Sequence, residues 1–60
     1  MIEGEARRKQ IMQTLANTEK PVSASKFAKT FGVSRQIIVQ DIALMRAESY
    51  GILSTNKGYL

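Results

Sequence analysis

Apolar residues recur at helical spacing in three separate stretches of this chain. In residues 5–17, Ile11, Met12 and Leu15 form a stripe with three- and four-residue spacing, which predicts a first helix from Glu5 to Asn17 after a frayed start at Met1–Gly4. Phe27 and Phe31 are four apart, with the small Ala28 between them, and predict a second, short helix to about Thr30. Ile38, Ile42 and Met45 fall on one stripe of a helix turning about 100° per residue, predicting a third helix from Arg35 to about Glu48. Gln36, Gln40, Ala43 and Ala47 come out on its opposite side. Ile37, Val39 and Leu44 flank the stripe; Val39 and Leu44 are expected to pack against the first helix or the following hairpin. Ile37 is assigned either to packing or to a thymine methyl.

The punctuation between these stretches is as informative as the stripes. Gly32 stands just past the last apolar residue of the second helix, where a left-handed conformation costs glycine nothing. Ser34 is the expected N-cap of the third helix and Ser23 of the second. Lys26 occupies the place where a capping box would carry Glu or Gln, so Ser23 caps alone. Pro21-Val22 suits an extended entry, with Val22 able to pair as a minimal strand. Beyond the third helix, Ile52-Leu53-Ser54 and Tyr59-Leu60 flank Thr55-Asn56-Lys57-Gly58, and Asn and Gly at that spacing mark a hairpin turn. Helix, short strand, helix, helix, strand, strand is the order of a winged helix-turn-helix. The fold class is therefore mainly α (α+β): three helices with a small β-hairpin wing.

Composition narrows the chemistry. Sixty residues make one small domain, which hides only about 60% of its unfolded surface and needs almost every large apolar residue for its core. There is no Cys and no His, which removes disulfides, thiolate metal sites and the usual general base. The apolar runs are too short to span a bilayer, and a cytoplasmic location is expected. The net charge is +4, and from Lys20 to Gln40 there are four cations (Lys20, Lys26, Lys29, Arg35) and no acid. That imbalance lies on the two-helix unit and suits a polyanion. The Arg7-Arg8-Lys9 run reads most simply as a solvated face, with a phosphate contact as the alternative. Asp41, the one acid near the centre, is expected to pair with a nearby Lys or Arg.

The side chains on the exposed face of the third helix fit base edges. Gln matches adenine bidentately and Arg matches guanine, so Arg35, Gln36 and Gln40 are the candidate readers, with Ile37 beside them. Ser34-Arg35-Gln36, Gln40-Asp41-Ile42 and the closing Gly58-Tyr59-Leu60 resemble the N-terminal DNA-binding domain of biotin-repressor-type bacterial regulators. Within that group the stretch from Ser34 to Ala47, with the Gly-Tyr-Leu wing, is most similar to the niacin-responsive repressors.

The resemblance implies a transcriptional repressor in which such a domain precedes an effector domain holding nicotinic acid and a metal ion. No cofactor is expected in these sixty residues, which look like the DNA-reading fragment of a longer regulator. It also implies that Ser34, Arg35, Gln36 and Gln40 face the bases and Lys57 the backbone. Lys26, Lys29 and Ser23 join Lys57 as expected backbone contacts. Operator DNA is the expected partner, read by a homodimer of the intact protein, while this chain alone forms a monomer or weak dimer. Two departures from the family pattern stand out: the wing turn is Asn-Lys-Gly, and Ser49 replaces a glycine common after the third helix. The alternative function is a winged helix that binds only protein, which would carry an exposed apolar patch instead of Gln, Arg and Lys.

Overall fold

The computed structural model describes residues 4–60. Three helices, α1 (Gly4–Ala16), α2 (Ala24–Phe31) and α3 (Arg35–Ala47), precede a two-stranded antiparallel hairpin, β1 (Ser54–Thr55) and β2 (Gly58–Tyr59). The winged helix-turn-helix order is thus as the apolar pattern predicts. Helix boundaries differ from the sequence reading by one residue, and of the expected frayed start only Gly4 lies within the described residues, as the first residue of α1.

The core is built from the predicted stripes. Ile11 from α1, Ala24, Phe27 and Ala28 from α2, Ile38, Ile42 and Met45 from α3, and Ile52 beyond it are buried together. Met12, Leu15, Val22, Phe31, Val33, Val39 and Tyr59 close its edges. Phe27 and Phe31 stack with ring centroids 6.1 Å apart and planes 8° from parallel, a geometry that adds about 0.5–1.5 kcal/mol to the area buried. Leu44 does not join this core. It stays half exposed, because it lies toward the solvent side of a helix whose inner stripe is already filled by Ile38, Ile42 and Met45.

The turn between α2 and α3 is made by backbone chemistry. Gly32 adopts φ 67°, ψ 35°, and its N–H donates to the Ala28 carbonyl. Val33 N–H donates to the same carbonyl at 3.0 Å, so the orphan end of α2 is satisfied in the manner of a left-handed C-terminal cap. Two residues later the Ser34 hydroxyl accepts from Ile37 N–H at 3.2 Å, opening α3 as Ser23 opens α2 by accepting from Lys26 N–H at 3.1 Å. Both serines have the extended backbone that a capping residue needs. A β-carbon on Gly32 would meet nothing within 4 Å, so substitution there costs only backbone strain. Gly32→Val should lower stability by about 1–2 kcal/mol, the left-handed penalty for a residue with a β-carbon; an unchanged urea midpoint would remove the turn from the list of what holds these helices in place.

Helix α3 ends in the same kind of cap made without glycine. Ser49 takes φ 72°. Its N–H donates to Arg46 C=O at 3.0 Å and Tyr50 N–H donates to Met45 C=O at 3.1 Å, the bond pair of a Schellman motif. Ser49 therefore takes the left-handed position that a glycine fills without strain, and carries the strain itself.

The wing is a two-residue turn, Asn56-Lys57, between paired strands, and the ladder runs one pair further, with Leu53 and Leu60 exchanging backbone bonds at 3.0 Å. Thr55 Oγ1 donates to Gly58 C=O at 2.7 Å and accepts from Lys57 N–H at 3.1 Å, which holds the tip. On its other edge β2 pairs with Val22: Val22 N–H to Tyr59 C=O is 2.9 Å and Tyr59 N–H to Val22 C=O is 2.8 Å. Val22 is the minimal strand the sequence reading allows. It fastens the wing to the entry of α2.

Candidate nucleic-acid interface

Helix α3 presents two unlike sides. Ile38, Asp41, Ile42 and Met45 are buried, whereas Gln36, Gln40, Ala43 and Ala47 are exposed. Among the described residues neither glutamine amide makes a hydrogen bond within the protein, so four donor and acceptor positions on each remain for an outside partner. Ile37 is half-buried at the margin of this row. Ser34 is exposed, and with its oxygen accepting from Ile37 N–H it keeps its hydroxyl hydrogen to donate.

Arg35 stands apart from the glutamines. It lines a cleft of about 280 Å³ with Ser23 and Ser25 at the start of α2 and Ser54, Asn56 and Lys57 of the wing. Three predicted contact residues, Arg35, Ser23 and Lys57, thus share one polar cleft with two cations. Lys26 and Lys29 are exposed on α2 but are not among its walls. Ser25 and Asn56 were not singled out by the sequence. Their proximity depends on how the wing docks beside α2, and a serine in a first helical turn gives no local signal of it.

What aims α3 is an ion pair to α1. The buried Asp41 carboxylate accepts from Arg7 Nε and, at 3.0 Å, from Arg7 Nη2, a bidentate match, and Arg8 Nη1 adds a third bond at 3.2 Å. The Asp41 side chain is 3% exposed and that of Arg7 11%. The solvated face expected for Arg7 and Arg8 is therefore corrected: both are drawn inward because a buried carboxylate needs its charge matched. Lys9 alone of the three is exposed as predicted. The pairing expected for Asp41 is present. The hydrogen bond to Asp41, helped by its negative charge and opposed by burial, raises the Arg7 guanidinium above the ordinary arginine value. A raised folded-state value gives stability that is full below the ordinary arginine value and lost only as pH climbs through the raised one, so Arg7's share of the pair is not lost by a rise in pH short of the arginine range. At the far end of α3, Arg46 Nε donates to Ile52 C=O at 3.1 Å and ties the helix to the segment leading into the wing.

A short helix, a glycine turn and a second helix that exposes amides and is flanked by a cationic wing define a winged helix-turn-helix DNA-binding domain. The chain belongs to the HTH domain family, which matches residues 7–60. It is 44% identical over 54 residues to a probable transcription repressor NiaR of Thermotoga maritima, covering 90% of this chain and 31% of that protein. It is 40% identical over 57 residues to the transcription repressor NadR of Bacillus subtilis, covering 95% of this chain and 32% of that protein. The chain spans about a third of the length of these curated relatives. The resemblance to bacterial repressor domains read from the third helix and the wing is borne out. No helix among the described residues is long and apolar enough to cross a membrane.

Proposed function

We propose that this chain is the sequence-reading domain of a cytoplasmic bacterial transcriptional repressor, and that it works without catalysis. The carrying observation is the exposed row of α3, whose two glutamine amides have no partner within the protein among the described residues. In this reading α3 enters the major groove with Ser34, Arg35, Gln36, Ile37 and Gln40 toward base edges, and α2 crosses the backbone. Lys26, Lys29, Lys57 and Ser23 contact phosphates and set the register. The names of the two relatives, both transcription repressors, support the regulatory role. A sequence without His or Cys supports a non-enzymatic one.

Nicotinic acid and a metal ion belong, in this proposal, to the part of such regulators that lies outside these sixty residues. The long helices α1 and α3 both spend their apolar faces on the core, which supports a monomer or weak dimer at micromolar concentration. One recognition helix then meets one half-site, and the gain from tethering two readers is missing. Sedimentation with and without a palindromic duplex tests this, and nicotinate should change nothing. A tight nicotinate-dependent dimer would sink it.

Fluorescence titration of the chain against a selected duplex and against random DNA tests the reading itself. Gln36→Ala and Gln40→Ala should each cost about 1–3 kcal/mol on the selected site and much less on random DNA. Lys57→Ala should weaken both alike and reduce the salt slope by about one. Equal losses on both duplexes from the glutamine changes would mean that α3 is not the reader.

A further inference from the structure

The reading row of α3 is unusually selective in what it can match. Gln36 and Gln40 are one turn apart on the same exposed row, and Ala43 and Ala47 continue it with methyl groups alone. A carboxamide offers a donor and an acceptor side by side. In the major groove only adenine offers the complementary pair, its N7 acceptor beside its N6 donor. Guanine presents two acceptors there, and cytosine and thymine one polar group each, so none of them satisfies both ends of the amide. Cytosine is read by an acid. Within α3 the one acid is Asp41, which is buried and held by Arg7 and Arg8. Guanine is read by Arg or Lys, and at the reading end of α3 that leaves only Arg35, at the margin beside the wing.

Spacing adds a constraint. Four residues of helix rise about 6 Å, and successive bases along a strand are about 3.4 Å apart. Two amides held on one row therefore meet bases about two steps apart. We infer that the half-site this chain recognises carries two adenines about two base steps apart, one read bidentately by Gln36 and the other by Gln40. The inference rests on the DNA-reading role proposed above and adds the identity and spacing of the bases. The methyl groups of Ala43 and Ala47 add no hydrogen bond and leave the neighbouring positions tolerant, with a preference for the thymine methyl.

Selection from a random duplex library with the sixty-residue chain, followed by atom-level substitution, tests it. The enriched motif should contain the adenine pair, and 7-deazaadenine at either position, which removes the N7 acceptor, should weaken binding about tenfold. Gln36→Glu should then exchange the preference at one of the two positions from adenine to cytosine, since a carboxylate accepts from cytosine N4. The measured quantity is the ratio of affinities for the two duplexes, which a general loss from the added negative charge does not move. Gln40→Glu should do the same at the other position. An enriched motif that lacks the adenine pair, or one indifferent to 7-deazaadenine, overturns the inference and leaves the DNA-reading role standing. If no motif is enriched, the role falls and the inference with it.

Discussion

Asp41→Ala should leave this domain largely unfolded at room temperature. The carboxylate is buried, it accepts three hydrogen bonds from Arg7 and Arg8, and it sits on α3 between the core residues Ile38 and Ile42. Breaking a buried ion pair from one side costs about 3–5 kcal/mol. A single core in a chain of this size rarely supplies more than about 3–5 kcal/mol in total. The two figures are alike, so the loss is close to the whole stability. Of the two arginines Arg7 is the more buried, its side chain 11% exposed against 27% for that of Arg8.

The companion variant separates the pair's charge from its volume. Arg7→Met combined with Asp41→Leu replaces both charges by apolar groups, a change that is often neutral or stabilising by about 1–4 kcal/mol. The double variant should therefore melt near or above the parent, while the single variant collapses. Urea denaturation followed by circular dichroism decides it. If Asp41→Ala stays within about 0.5 kcal/mol of the parent, the pair is a surface contact of the kind that contributes little. Because Asp41 lies on the recognition helix and its partners on α1, the double variant also reports on aim. A direct test is whether its preference for selected over random DNA narrows while its melting temperature does not fall.

How much of this was legible in the sequence depends on the range of the interaction. Features set within one or two turns were open to reading: the α3 stripe, the caps at Ser23 and Ser34, the left-handed Gly32, and the hairpin around Asn56-Lys57 all appear where the local pattern places them. The reading face was open for the same reason, since helical periodicity alone separates Gln36 and Gln40 from Ile38 and Ile42. The Arg7–Asp41 pair was half legible. A lone acid inside an apolar stripe announces a need for a cation, but nothing local says which of nine cations, and the two that answer are 34 and 33 residues away. A run of three basic residues on a first helix looks solvated because charge is usually exposed, and here burial of the partner overrides that. Leu44 errs in the opposite direction. Apolarity suggested packing, yet the inner stripe of α3 was already filled. The cleft that joins Arg35 to the wing is tertiary throughout, because it depends on β2 pairing with Val22.

Among the described glycines Gly58 sits closest to neighbouring backbone, at that pairing, and Gly58→Val should break it. Gly58 has φ 138°, and a β-carbon there would lie 2.5 Å from Val22 C, 2.6 Å from Val22 O and 2.7 Å from Ser23 N. All three are backbone atoms, so no side chain can swing away to make room. The Val22 N–H and C=O are both bonded to Tyr59, and Ser23 caps α2, so relief requires lifting β2 off the body. The backbone strain is about 1–3 kcal/mol, and the two lost hydrogen bonds add about 1 kcal/mol each. A total near 3–5 kcal/mol is again close to the whole stability of the domain and corresponds to a fall in melting temperature of about 12 °C or more for a domain of this size. Gly32→Val, with open space around its β-carbon, should fall by less than half of that, and Gly51→Val, which also meets open space, should change little. At low temperature, where Gly58→Val retains folded protein, the detached wing no longer holds Lys57 beside Arg35 and Ser23. Binding to random and selected DNA should then weaken together, with a reduced salt slope, while the adenine preference of α3 survives. A melting temperature within 2–3 °C of the parent by ordinary scan precision would mean that the wing is not fastened through Val22 in solution.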